Sequence, residues 1–194
     1  MAPSCWCRTG ISRTTVPFFL IEAHYENEHG VNERILRSQA YQALLSGASG
    51  HVMGIWPMWA FASGWQAALN SRGSVTLPHM RGLFEARSWW TLQPDTTGQF
   101  MTGGADSGVN RAVAATATDR SFAVSYMPTI RTLTLNLAQL AGPRVNARWC
   151  DPANGVCTPV TGSPFNASGS QTFRPAANNS SNFGDWTLVL ESTP

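Results

Sequence analysis

Around Pro94-Asp95-Thr96-Thr97-Gly98 the hydrophobic pattern of this chain changes period, and that switch commits it to two kinds of structural layer. After the switch apolar and polar residues alternate in short segments separated by turn formers, at residues 111–118, 122–127, 132–137, 146–150, 171–174 and 186–191. Period-2 alternation places successive side chains on opposite faces of a strand. Asp119-Arg120-Ser121 reads as a hairpin turn, and Asn178-Asn179-Ser180-Ser181-Asn182 as a loop. Short strands at this spacing predict an antiparallel β-sandwich over residues 98–194.

Before the switch, apolar residues come in continuous runs with a helical stretch between them. Val16-Pro17-Phe18-Phe19-Leu20-Ile21 has the length and composition of a strand buried on both faces in a parallel sheet, and it stops at Glu22. Asn32 is placed to cap a helix starting at Glu33, with Ile35, Leu36, Tyr41, Leu44 and Leu45 as its apolar face and Gly47 as its stop. The run from Gly50 to Trp56 then completes a strand, helix, strand unit, and a second helix is predicted over residues 75–90. Residues 1–16 combine turn formers with no periodicity, which predicts a disordered leader.

Only 12% of the 194 residues are charged, so the surface relies on Ser, Thr, Asn, Gln and Gly, a polarity that suits an extracellular or sugar-facing protein. All 13 cationic residues are Arg, and they are scattered over a chain of net charge +2, which argues against a nucleic-acid partner. No apolar run approaches the ~20 residues of a membrane span, and the start lacks the pattern of a signal peptide. Cys150 and Cys157 flank Asp151-Pro152-Ala153-Asn154-Gly155, a turn signal that would bring the two sulfurs together in a hairpin. A disulfide there implies an oxidising compartment. No His or second Cys pair stands nearby at the spacing of a zinc site.

Glu22 lies where the chain leaves an apolar strand, the position at which parallel α/β folds place their sites, and a carboxylate there can serve as nucleophile or as acid/base. A solvated strand-end glutamate is the plainer reading. Glu22-Ala23-His24-Tyr25-Glu26-Asn27-Glu28-His29 is the densest titratable cluster in the chain. His24, Glu26 and His29 could form a metal-dependent hydrolase, although their spacing matches no metal motif. Trp56 and Trp59 follow the second apolar run, where their rings could stack on a sugar or cap a core. Trp65, Trp89 and Trp90 read as core residues, and His51 as a hydrogen-bonded core histidine. There is no Gly-rich phosphate loop and no Gly-x-Ser-x-Gly elbow, and no cofactor is called for.

Taken together, Glu22-Ala23-His24-Tyr25-Glu26, Arg37, Tyr41, Gly47-Ala48-Ser49-Gly50-His51-Val52-Met53-Gly54, Trp56, Trp59 and Leu92-Gln93-Pro94-Asp95 resemble the C-terminal part of the apiosidase-like (β/α)8 glycoside hydrolases. Tyr126-Met127-Pro128, Trp149-Cys150-Asp151-Pro152-Ala153-Asn154-Gly155 and Asp185-Trp186-Thr187-Leu188-Val189-Leu190 are similar to the small β-sandwich appended to them, labelled a collagen-binding domain of a collagenase. The resemblance implies an α+β chain of two modules: a partial (β/α) barrel segment of about two βα units at residues 17–97, then the sandwich at 98–194. It implies a secreted or periplasmic retaining glycosidase acting on plant or microbial polysaccharide, with Glu22 as nucleophile and Trp56 in a sugar subsite. His24, Tyr25 and Trp59 join Trp56 as substrate-binding candidates.

A full barrel takes roughly 200 residues or more, so six of its strands and the acid/base carboxylate they would carry are expected to be missing. The second carboxyl group would then have to come from Glu26, Glu28 or another subunit. Two strands cut from a barrel expose edges and apolar faces, which predicts a homo-oligomer burying the Phe18, Phe19 and Trp56 region. The alternative is a noncatalytic carbohydrate-binding or structural module.

Overall fold

The structure is a computed structural model that describes residues 16–193. The leader expected over residues 1–16 therefore lies, apart from Val16, outside the described residues. Two short strands come first, β1 (Phe19–Leu20) and β2 (Tyr25–Glu26), followed by helix α1 (Glu33–Leu45). Asn32 caps this helix as its sequence predicts, its side-chain oxygen accepting from Ile35 N at 3.2 Å. Gly47, at φ +100°, turns the chain out of the helix in a conformation that glycine adopts cheaply.

Strands β3 (Gly50–His51) and β4 (Gly54–Ile55) then pair in parallel with β1 and β2 respectively. The strand, helix, parallel strand order is thus present, but as two separate two-residue pairs. The expected double-sided burial of residues 16–21 is not found, since Val16, Phe19 and Ile21 are exposed. The reason is topological: β3 is the only described strand paired with β1, and no sheet continues beyond it. Each parallel pair sets an aromatic ring against a glycine, Phe19 opposite Gly50 and Tyr25 opposite Gly54. A Cβ on Gly50 would stand 2.6 Å from the Phe19 ring, and one on Gly54 would run closer still into that of Tyr25. The rings lie across space that only glycine leaves free.

Helix α2 (Trp65–Ala68) is a single turn, and α3 (Arg72–Glu85) follows it, capped by Ser71, whose hydroxyl oxygen accepts from Ser74 N at 3.2 Å. It begins three residues before the predicted start and ends at Glu85; Trp89–Thr91 forms a separate 3-10 turn.

All ten remaining strands are antiparallel. They are β5 (Leu92–Pro94), β6 (Met101–Gly103), β7 (Val113–Ala117), β8 (Phe122–Met127), β9 (Leu133–Asn136), β10 (Arg144–Cys150), β11 (Cys157–Pro159), β12 (Phe165–Asn166), β13 (Ser170–Phe173) and β14 (Trp186–Thr193). A seven-stranded sheet runs β11-β10-β14-β8-β7-β5 with β12 beside β10, and a three-stranded sheet runs β13-β9-β6. The large sheet takes its edge strand β5 from the stretch read as the first module. The six alternating segments all become strands, whereas β5, β6, β11 and β12 were not legible.

The two sheets face one another across a core that includes Met101, Leu133, Leu135 and Phe173 from the small sheet and Ala123, Met127, Val145 and Leu188 from the large one. The opposite face of the large sheet is dry as well. Val113, Ala115, Phe122, Val124 and Tyr126 pack there against Tyr41 and Leu45 of α1 and Phe84 of α3. Every residue of β8 is consequently buried. Antiparallel sheets commonly keep one face in water, but here helices, large sheet and small sheet form three layers.

A polar network crosses the upper layer. Arg37 of α1 and Asp185 are fully buried, with Nε donating to Oδ2 at 2.8 Å and Nη2 to Oδ1 at 3.0 Å. Tyr126 donates to Asp185 Oδ2 at 3.0 Å, and Asn179 Nδ2 to Oδ1 at 2.7 Å. Tyr126 also stacks on Tyr41 with ring centroids 4.5 Å apart. Burial raises the pKa of both phenols, so they remain protonated. Cys150 and Cys157 stand opposite one another on β10 and β11 with Cα atoms 4.0 Å apart, joined by the disulfide expected of that hairpin. Among the described residues, no helix is long and apolar enough to cross a membrane.

Candidate functional site

Glu22 stands two residues past the end of β1 and is exposed. Its Oε1 accepts from the Tyr25 hydroxyl at 3.0 Å. Tyr25 can reach it because its ring is fixed over Gly54 in the β2–β4 pair. The hydrogen bond to the Glu22 carboxylate, followed by desolvation, raises the Tyr25 pKa, so the phenol stays a donor. The Tyr25 ring meets Trp59 with centroids 6.2 Å apart, and Trp59 meets Trp56 at 5.6 Å. Both indoles are open to solvent, Trp56 at 40% and Trp59 at 55%. Trp59 Nε1 donates to Glu28 Oε1 at 2.7 Å. One surface therefore carries two carboxylates, Glu22 and Glu28, and three aromatic rings, which is the donor and acceptor chemistry of a polyhydroxylated ligand.

The backbone beneath this surface is held from two sides. Trp56 N donates to Glu26 O at 2.9 Å, and Asn27 Nδ2 donates to Trp56 O at 3.0 Å. From α1, the Gln39 amide pairs with the peptide of His24 in both senses: His24 N donates to Oε1 at 2.6 Å, and Nε2 donates to His24 O at 3.1 Å. His24 thus enters these contacts through its backbone. Gln39 and Asn27 were not singled out as site residues in the sequence, since their partners become neighbours only when β2, α1 and β4 assemble.

Glu26 departs from its expected place. Strand alternation turns it away from Tyr25, and it is only 4% exposed. Its Oε1 accepts from Gly73 N at 2.9 Å and its Oε2 from Ser71 Oγ at 2.5 Å. A Cβ on Gly73 would run into the same carboxylate. Glu26 is therefore an anionic acceptor at the N-terminus of α3, where helix amides and dipole favour negative charge, and not an acid beside Glu22. With Glu26 held under α3, His24, Glu26 and His29 are not gathered as a ligand set, and among the described residues no group of three potential metal ligands is brought together. His51 is half-buried, but its Nε2 has no hydrogen-bond partner, and burial lowers its pKa to about 4, leaving it neutral.

Residues 9–91 match the family described as "Apiosidase-like, catalytic domain", and residues 96–191 the family described as "Putative collagen-binding domain of a collagenase". A solved structure described as "Glycoside hydrolase" is 21% identical at a TM-score of 0.80, the match covering 91% of this chain and 42% of that one. A glycoside hydrolase family 5 structure from Bacteroides vulgatus ATCC 8482 is 21% identical at a TM-score of 0.79, covering 91% and 41%. The chain thus spans less than half the length of either, and the likeness is one of fold. No curated protein sequence matches the chain. The first stretch of the chain is thus similar to an apiosidase-like catalytic domain and the second to a domain of the collagen-binding type.

Proposed function

We propose that the chain acts on glycosidic bonds of plant or microbial polysaccharide, and that Glu22 is its nucleophile. The observation that carries this reading is the exposed Glu22 carboxylate, aimed by the Tyr25 hydroxyl at 3.0 Å and set beside the open rings of Trp56 and Trp59. In a retaining mechanism the carboxylate attacks the anomeric carbon while a carboxylic acid protonates the leaving oxygen, and water then releases the glycosyl group. Glu28 is the second carboxyl group on this surface, so the acid role passes to it from Glu26. We read the β1–α1–β3 segment as part of a (β/α) barrel wall on its strand, helix, parallel strand order. The disulfide supports export to a secreted or periplasmic compartment.

Hydrolysis of aryl glycosides and plant polysaccharides, compared between wild type, Glu22→Gln and Glu28→Gln, tests the assignment. Glu22→Gln should abolish turnover and Glu28→Gln lower it by about 10²–10⁴. Turnover unchanged in Glu22→Gln would sink the proposal. Sequestration of Glu26 favours a second reading, a noncatalytic sugar-binding surface. In that case glycan binding would survive Glu22→Gln with no turnover in any variant, and would be lost in Trp59→Ala.

Exposed Phe19, Ile21 and Val52 further support association with a second copy of the chain through the β1–β3 edge. Light scattering on the eluting protein should give at least the mass of a dimer, and a monomer mass would refute it.

A further inference from the structure

Past Trp59 stand two more aromatic rings, Phe61 at the end of a 3-10 turn and Trp65 at the start of α2. Phe61 is 73% exposed, and its backbone is left-handed at φ 49° and ψ 30°. In that region the Cβ of an L-residue crowds the following carbonyl, so a bulky side chain there is an outlier, while Asn or Gly is tolerated. The position thus combines a strained backbone with a large apolar ring in water, and Phe61 belongs to neither core cluster. Such outliers gather where a ligand is engaged.

The loop displaying the ring is closed by successive turns. Phe61 N donates to Met58 O at 3.1 Å, Ala62 N to Pro57 O at 3.2 Å and Trp65 N to Ala62 O at 3.1 Å. Phe61 stands edge-on to Trp65 at 5.3 Å with an interplanar angle of 85°. The rings thus form two ordered groups, Trp56 with Trp59 and Phe61 with Trp65, and Phe61 follows Trp59 by two residues in the chain. Rings already held in place spare a ligand the cost of ordering the loop.

We propose that Phe61 and Trp65 form an outer subsite for a saccharide chain whose inner end lies at Glu22, so that the ligand is an oligosaccharide and not a single sugar. The inference rests on the reading of the Glu22 surface as a sugar site. At the inner end, carboxylates take hydroxyl hydrogens; at the outer end, rings take the C–H faces of successive sugar units. The outer subsite adds affinity with chain length rather than chemical selectivity.

The test is calorimetric titration of the full chain, as Glu22→Gln to prevent consumption of ligand, with di- and hexasaccharides of β-1,4-linked glucose, xylose and mannose and α-1,4-linked galacturonate. The hexasaccharide that binds should do so at least about tenfold more tightly than its disaccharide, the scale of one to two aromatic contacts. Adding Phe61→Asn should remove that difference, leave the disaccharide unchanged, and give a Tm at or above the parent's because the backbone strain is relieved. Equal affinity for both lengths, or a length dependence that survives Phe61→Asn, overturns the outer subsite while the sugar reading stands. If no saccharide binds, the sugar reading falls and the subsite with it. A change in molecular mass in Phe61→Asn without a change in binding would assign the ring to contact with a second copy and overturn the proposal.

Discussion

Glu22 and Glu26 stand on the same short stretch of chain with opposite surroundings, and the contrast separates chemistry from architecture at the scale of single residues. Glu22 is exposed and touched by one phenol, so Glu22→Gln should leave stability within about 0.5 kcal/mol of wild type. Glu26 closes the N-terminus of α3, and hydrogen bonds to a charged group contribute about 1.5–3 kcal/mol. Glu26→Ala should therefore cost about 2 kcal/mol or more in a urea titration, and a loss equal to that of Glu22→Gln would reject the structural role. The sequence shows the titratable cluster and the following tryptophans, and Glu22, Tyr25, Trp56 and Trp59 do converge. It does not show which carboxylate is sealed, because the partners Ser71 and Gly73 lie 45 and 47 residues further on.

At the scale of elements, α1 ties the candidate site to the large sheet through three consecutive residues. Arg37 holds Asp185, Ser38 lies 3.0 Å from the Tyr126 hydroxyl, and Gln39 clamps the His24 peptide. Removing one partner of a buried ion pair leaves an uncompensated charge and costs about 3–5 kcal/mol. Asp185→Asn should show a loss of that order in denaturant melts, and an apolar double variant, Arg37→Met with Asp185→Leu, should recover much of it. A loss below about 1 kcal/mol in Asp185→Asn would show that the network is dispensable. The elements legible in the sequence are those with local signals, such as the Asn32 cap of α1 and the alternation in β7, β8, β10 and β14. Those missed lack such signals: β5 ends in Pro94, β6 ends in Gly103, β12 is two residues long, and β11 lies beyond a tight turn. The apolar runs at residues 16–21 and 50–56 overstated their strands, because run length reports hydrophobicity and not the presence of a neighbouring strand.

At the scale of the whole molecule, the change of period near residue 95 suggested two modules, yet the large sheet serves two cores at once. Full-chain unfolding should accordingly be a single calorimetric transition. Residues 92–194 expressed alone would turn Val113, Ala115, Phe122, Val124 and Tyr126 toward water, and should aggregate or self-associate. A monomeric fragment with the Tm of the full chain would show instead that the modules are independent. The dry outer face of β8 also bears on how such a chain can be recombined. A sandwich with a solvated back can be moved between proteins as a cassette, joined by a linker alone. This one is fitted on its back to Tyr41, Leu45 and Phe84, so a fusion that keeps that face dry should carry α1 and α3 along with the β-domain.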